Sequence, residues 1–556
     1  MTAWFSSHPT PQRTRGWIPR LRPLRSAASL RVKISDSTPL PAHRFAPWLL
    51  AVVVFLGSFV LFTRHNDFPY SYHPDESGKT GQVIKGIRNY HHPLLLLSLT
   101  DVAARVGFVA RTPQAIVETG RGVAAALAAG TAAALALLAW RSAGLLAGWG
   151  AGVAVALQAD LFETAHYLKE DPALAFGLAL SLLAAHLWWR APGRQTLRFL
   201  ALACGLAAAG KYVGIIVLLF AVPLVVWHRG ADVALARGAR LKLFALVFAL
   251  TFLAGNLPLF ATKLSNPFRS VRNEMEGVAG GHRGITREVP HREYLDMLRK
   301  DLPPAVGLLA GAYVLALLAT ARRRTPPEWV TVLLPLGYLA AISCSPKIAS
   351  RYLLPVSALL PLLATLGAAE IAGVIRAADS RGRRMAGAAV LAGLVGWIVW
   401  AELPLLRGSF SGFTHDDPAE VAAWIKAHLP PEAVIAEDHR VNLSPDKADG
   451  VAKFARVPQK VLDANFAPDL GTVDELLAKG VTHVAVCRAS YGRYFNEETG
   501  AEGSGKTGYD KRRDFYQRVF RDGELLREWP RGTITYLQPG IRLYRLAPAK
   551  TPAANP

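Results

Sequence analysis

Long apolar runs, joined by connections whose charge alternates along the chain, constrain this sequence more than any other feature. Eleven such runs cover roughly 46–62, 114–140, 143–162, 172–189, 196–212, 213–228, 241–261, 304–321, 328–345, 352–375 and 385–406. Most hold about 17–25 residues, enough helix to cross ~30 Å of hydrocarbon. Inside lipid a backbone must satisfy its own hydrogen bonds, which a helix does within one segment. The expected fold class is therefore mainly α, a polytopic helical membrane protein with about 11 transmembrane helices. Composition agrees: 51% of the 556 residues are hydrophobic and 19% charged, below the roughly 25% charged of soluble domains. A disordered chain, a small secreted scaffold and a fibrous repeat are excluded.

The arginines orient the spans. Residues 1–45 carry eight Lys/Arg and no apolar run. That stretch is too long for a signal peptide and no small-residue cleavage site follows the first run, so it reads as a cytoplasmic tail. Every short connection then predicted to be inside is basic: Arg141; Arg190, Arg194 and Arg198; Arg229, Arg237, Arg240 and Lys242; Arg322, Arg323 and Arg324; Arg376, Arg381, Arg383 and Arg384. The short outside connection at 163–171 is net acidic. This is the positive-inside pattern. Counting 93–111 as a twelfth span would invert it, and Asp101, Arg105 and Arg111 fit an interfacial amphipathic helix better. The net charge of +22, from 63 Lys+Arg less 41 Asp+Glu, is thus mostly topological, and no nucleic-acid partner is expected. Cys204, Cys344 and Cys487 are too few for a disulfide framework and read as free thiols.

An odd number of spans puts everything after 406 outside. The expected organisation is a basic tail at 1–45, a transmembrane domain at 46–412, an extracytoplasmic α/β domain at 413–548 and a disordered tail at 549–556. In the α/β domain, Asp417-Pro418-Ala419-Glu420 predicts a helix start. Strands are predicted at 433–437, 481–487, 534–538 and 541–546, with helices at 473–479 and 511–520.

Two outside loops are long, 63–113 and 262–303. The first holds Asp67, His73, Asp75, Glu76, Lys79, Lys85, Arg88, His91 and His92. Adjacent carboxylates at a membrane surface suit a general base, but Asp75 after His73-Pro74 equally suits a helix cap. Asp171 before Pro172 reads the same two ways. Lys169 stands beside it, Lys211 ends another outer edge, and Lys347 and Arg351 sit on a fourth. Lone cations at helix ends are commonly snorkelling anchors. Their convergence with carboxylates on the outer mouths suits a reaction in which a phosphate leaves while an acceptor loses a proton.

Asp75-Glu76, then His92-Pro93-Leu94, then Asp171, then Arg351-Tyr352-Leu353-Leu354-Pro355 resemble the GT-C membrane glycosyltransferases. The nearest groups are the protein O-mannosyltransferases, the lipid A aminoarabinose transferases and their bacterial RgtA/B/C/D-like cousins. The resemblance covers about 46–406. It implies a GT-C-like fold and transfer of a sugar from a polyprenyl-phosphate donor to an acceptor hydroxyl of a protein, lipid or glycan. The reaction would run with inversion, at the outer face of the cytoplasmic membrane. Asp75 would be the base, with Glu76 and Asp171 as the other acidic residues. Arg351, Lys347, Lys211, Lys169 and His92 would meet the donor phosphate or substrate. His92 stands where the aminoarabinose transferases have lysine. The pKa of Asp75 is expected to be raised by Glu76, Asp171 and partial burial. No cofactor is implied. His91-His92 alone offers too few ligands for a metal site, and a divalent cation stays open.

Two further features compete. Gly500–Thr507 fits the P-loop pattern, but no buried strand is predicted directly before it. A secondary transporter or flippase would also be polytopic, yet it predicts charges at span centres and repeated halves, and neither is evident.

Overall fold

The computed structural model describes residues 41–228, 235–279, 285–286, 290–345, 347–443, 456–495, 500–501 and 504–546. Most of the basic tail, and the tail expected from 549, lie outside the described residues. The chain divides into two units, 1–46 and 47–556.

All eleven apolar runs are helical. They correspond to α1 (Pro41–Phe62), α4 (Pro113–Ala143), α5 (Leu145–Ala156) with α6 (Ala159–Ala165), α7 (Asp171–Arg190), α8 (Arg194–Gly210), α9 (Leu218–Trp227) after a 3-10 turn, α10 (Arg237–Gly255), α13 (Pro304–Ala319), α14 (Pro326–Ser343), α15 (Leu354–Arg376) and α16 (Arg381–Gly412). The two long connections add α2 (Pro74–Lys85), α3 (Leu95–Val106), α11 (Pro267–Ala279) and α12 (Pro290–Asp301). Among the described residues six helices are long and apolar enough to cross a membrane, or up to eight if each of two bent pairs is one span. The expected eleven is not reached by this measure. The third run breaks after Ala156 and turns by 59°, while α8 and α9 have 17 and 10 residues.

Helix α3 has 12 residues, about 18 Å at 1.5 Å per residue, too short to span. Its Asp101 does not face water. It is fully buried and takes Arg88 at 2.7 Å, Arg111 at 2.7 Å and Arg105 at 3.0 Å. A parallel bridge between β1 (Ile87–Arg88) and β2 (Lys263–Leu264) ties the two long loops together.

Small residues let α7 and α8 pack backbone to backbone. A Cβ on Gly177 would collide with the Ala207 backbone, and one on Gly210 would come within 2.7 Å of the Ala173 carbonyl carbon. Close approach of this kind is how helices associate where no hydrophobic drive exists. It also sets Lys211, the residue after α8, beside Asp171, the first of α7.

The C-terminal part opens with α17 (Asp417–His428), capped by Asp416, whose carboxylate accepts from Ala419 N–H at 2.9 Å. The cap is thus one residue earlier than Asp417. A bridge between β3 (Ile285–Thr286) and β7 (Gly500–Ala501) is antiparallel. The main sheet is five-stranded, in the order β5-β4-β6-β9-β8. These strands are β4 (Val434–Asp438), β5 (Lys460–Ala464), β6 (His483–Cys487), β8 (Glu524–Trp529) and β9 (Ile541–Arg545). β4 runs parallel to β5 and β6, and β9 runs antiparallel to β6 and β8. The central β6 is buried along its length, as a strand covered on both faces should be. Covering helices include α18 (Val473–Ala478), α19 (Arg488–Tyr491) and α20 (Ser504–Asp522).

Two strand expectations shift. Residues 534–538 form a turn rather than a strand. β8 takes the sheet edge instead, its charges paired to β9 through Arg542–Glu528 and Arg545–Glu524, both at 2.9 Å. Helix α20 opens at Ser504, inside the P-loop-like motif and ahead of the expected 511. The strand before it is the two-residue β7, which is not part of the five-stranded sheet. Cys204, Cys344 and Cys487 are free.

Candidate active site

The first long loop turns into α2 at His73-Pro74. Proline at the first helical position supplies its fixed φ and has no N–H to lose. His73 is the cap: its Nδ1 accepts from Asp75 N–H at 3.1 Å. Asp75 therefore occupies the second helical position and does not cap. An acidic residue in the first turn suits the helix dipole. Its side chain, 45% exposed, meets buried Lys169 Nζ at 2.8 Å.

Asp171 likewise caps nothing. Glu170 holds the cap position of α7 without a side-chain bond, and Asp171 Oδ1 lies 2.6 Å from Lys211 Nζ. Lys211 also rests over the Tyr352 ring at 4.5 Å, and Arg351 approaches the same ring at 5.2 Å. Arg351 is within electrostatic reach of Asp75, Asp171 and Lys169. Lys169, Lys211 and Lys347 each hold a carboxylate. Among the described residues Arg351 has none within ion-pair distance.

The remaining expected residues separate. Glu76 is fully buried and committed. It takes Arg121 through two bonds, 3.0 Å to Nε and 2.6 Å to Nη2, and accepts from Leu168 N–H at 2.7 Å. This commits both carboxylate oxygens of Glu76 to a buried pair with Arg121, away from the Asp75 side chain. Lys347 pairs with Glu274 of α11 at 3.1 Å, at the edge of the cluster. His92 lies within electrostatic reach of Glu170, Lys79, Lys211 and Glu274.

Sequence reasoning counted Lys79 only as loop charge and missed its role. Its buried ammonium binds Glu170 at 2.7 Å and Leu168 O at 3.0 Å, locking α2 to the segment before α7. Arg121 was hidden in the run at 114–140. The available signal was that an arginine in an apolar helix needs a partner.

The electrostatics follow from this packing. Partial burial would raise the Asp75 pKa, but the ammonium groups of Lys169 and then Lys79 prevail and hold it well below the carboxylate range. The expectation of a raised Asp75 is thus reversed, because cations rather than Glu76 and Asp171 are its near neighbours. Burial, then Arg351, lowers Lys169 to about 8. Burial, then Lys169, keeps His73 neutral, and burial likewise lowers His92. Among the described residues no three His, Cys, Asp or Glu side chains are grouped to hold a metal ion.

The arrangement is a half-exposed carboxylate, Asp75, paired with Lys169, next to a buried pair, Asp171 with Lys211, and both carboxylates lie within electrostatic reach of Arg351. It can accept a proton and neutralise a departing anion at the same place.

No protein-family model matches the sequence, nor does any curated protein. Among solved structures, the fold is similar to the oligosaccharyltransferase AglB of Archaeoglobus fulgidus in complex with an inhibitory peptide and a dolichol-phosphate. The identity is 10%, covering 93% of this chain and 76% of that one, with a TM-score of 0.50. The apo form of the Archaeoglobus oligosaccharyltransferase gives 11%, 81%, 71% and 0.50. ArnT from Cupriavidus metallidurans bound to undecaprenyl phosphate gives 15%, 92%, 99% and 0.46. The two oligosaccharyltransferases are GT-C glycosyltransferases, so the resemblance carried by the sequence motifs extends to the fold.

Proposed function

We propose that this chain is a membrane glycosyltransferase. It moves a sugar from a polyprenyl-phosphate carrier to an acceptor hydroxyl at the outer face of the cytoplasmic membrane. The observation that carries this reading is the pairing of Asp75 with Lys169 and of Asp171 with Lys211, while among the described residues no carboxylate lies within ion-pair distance of Arg351. A cation held near carboxylates without one of its own is set for an anion that arrives with the substrate. The fold likeness to an oligosaccharyltransferase whose structure contains a dolichol-phosphate agrees with a lipid phosphate as that anion.

In the proposed step the acceptor oxygen attacks the anomeric carbon and its proton passes to Asp75. The bond from that carbon to the phosphate oxygen breaks, and the configuration inverts. The lipid phosphate leaves with one more negative charge, opposite Arg351, Lys211 and Lys169. A guanidinium grips two phosphate oxygens at once. Asp171 keeps Lys211 in place. Lys347 serves the rim of the site once Glu274 yields to phosphate. A carboxylate held ionised is a weak base for a resting alcohol. The attacking hydroxyl becomes strongly acidic as its oxygen bonds to carbon, so a late transfer to Asp75 needs no raised pKa.

Tyr536 of the C-terminal part packs on His73 at 4.2 Å between ring centroids, and Tyr72 bonds Asp416. Segments in such contact lie on one side of a membrane, which agrees with an odd number of spans and an outward C-terminal domain. The test is to offer radiolabelled undecaprenyl-phosphate sugars to membranes containing the chain. Label should leave the lipid for an acceptor. Translocation of intact lipid-linked sugar without transfer would replace this reading by a flippase.

A further inference from the structure

The turn at 534–538 brings one side chain of the C-terminal part to the loop that carries Asp75. Tyr536 packs on His73 with centroids 4.2 Å apart at 53°. It meets Tyr167 edge-on at 5.6 Å, and Arg440 lies 5.5 Å from the Tyr536 centroid. Tyr167 reaches His73 as well, at 4.9 Å. His73 keeps 1% of its surface, although Pro74 and Asp75 beside it are exposed. Tyr536 is thus one of two rings that close His73 from water.

His73 can cap α2 only while Nδ1 holds a lone pair. An imidazolium has a proton on both nitrogens and accepts nothing. Protonation of His73 would therefore break the bond from Asp75 N–H and loosen the first turn of α2, from which the Asp75 carboxylate projects. The groups facing the ring are Lys169, Lys79 and Arg351, which oppose protonation, and Asp75, which favours it. Desolvation by the covering rings acts with the cations.

We propose that Tyr536 is a positioning residue: its ring keeps His73 dry and neutral, so that His73 caps α2 and fixes where Asp75 stands. The consequence for catalysis rests on the role of Asp75 proposed above, whereas the shielding of His73 does not.

The experiment uses the full chain in lipid nanodiscs with nitrogen-labelled histidine, followed by NMR from about pH 5 to 8. His73→Asn identifies the His73 signal by its loss. Wild type and Tyr536→Phe should hold His73 neutral throughout. Tyr536→Ala should let it titrate, with a midpoint moving toward ~6.5. Transfer from radiolabelled undecaprenyl-phosphate mannose is measured alongside. In Tyr536→Ala, kcat at about pH 5.5 relative to pH 7.5 should fall on the order of tenfold below the wild-type ratio. Adding His73→Asn, a non-titrating cap, should restore that ratio.

A wild-type His73 that titrates near its ordinary value overturns the inference, whether or not Tyr536→Ala folds. So does a His73 that stays neutral in folded Tyr536→Ala. If the titrations behave as expected while no protein, wild type included, transfers sugar, the shielding stands and the transferase reading falls.

Discussion

Lys169 Nζ stands 2.8 Å from Asp75 Oδ2, bringing a buried ammonium to a carboxylate 94 positions earlier in the chain. This pair explains why Asp75 is held ionised, and it puts a cation with a lowered pKa at the centre of the site. It also binds the first long loop to the start of α7, which carries Asp171.

Arg351 is expected to act on the donor. Arg351→Ala should weaken binding of undecaprenyl phosphate about tenfold to a hundredfold, since hydrogen bonds to charged groups contribute roughly 1.5–3 kcal/mol. Arg351→Lys should recover only part, because an ammonium cannot copy a two-point grip. Unchanged lipid affinity with weakened acceptor binding would move Arg351 to the acceptor.

Binding of the same lipid should have an alkaline limb near pH 8. Lys169 loses its proton there in the free protein, and bound phosphate favours the charged form. Affinity is then full below about 8 and falls by up to tenfold per pH unit above it. Between about 8 and ~10.4, the ordinary lysine value, the unfolded chain binds more protons at this site than the folded one. Its contribution to stability therefore rises with pH in that window, and the lost affinity is not unfolding. Lys169→Met should remove the limb and weaken binding at neutral pH. Titration of affinity by calorimetry checks both.

Glu76→Gln should act on stability more than on chemistry. It leaves Arg121 buried without its carboxylate, a change on the order of 3–5 kcal/mol for a broken buried pair. A thermal melt should record a large drop, with lipid affinity preserved at low temperature. A stable Glu76→Gln that binds lipid but does not turn over would return Glu76 to the reacting set.

Reporter fusions after residue 62 and at the C-terminus should both read external. The Tyr536–His73 contact joins the two segments, so they cannot lie on opposite sides of a bilayer. A cytoplasmic C-terminal reporter would contradict the topology and the site together.

Much of this was legible because hydrophobicity and charge act locally. A run such as 352–375 must be helix in lipid, and α15 covers nearly the same residues. Asp75, Asp171 and Lys211 could be singled out as candidates from their places at the predicted span ends, and the fold pairs Asp171 with Lys211. What escaped depends on distant partners. That Asp75 does not cap α2 is decided by His73 and its pairing by Lys169, and what Glu76 binds is decided by Arg121. The sequence Ile534-Thr535-Tyr536-Leu537-Gln538 has strand-like residue types. Yet Tyr536 is turned onto His73, and the strand is the charged Glu524–Trp529 at the sheet edge. Its four exposed positions carry Glu524, Leu525, Arg527 and Glu528, which hides a strand from an apolar pattern.

The central claim is that Asp75 takes the acceptor proton, and Asp75→Asn tests it most directly. Because His73 is the cap, this substitution leaves the α2 cap bond in place and removes only the carboxylate. Transfer from radiolabelled undecaprenyl-phosphate sugar should be followed in single turnover, with lipid affinity and thermal stability measured on the same sample. The account predicts a folded protein that binds the lipid, with turnover about 10²–10⁴-fold lower, the span usual for general base catalysis. Near-normal turnover in Asp75→Asn would contradict it.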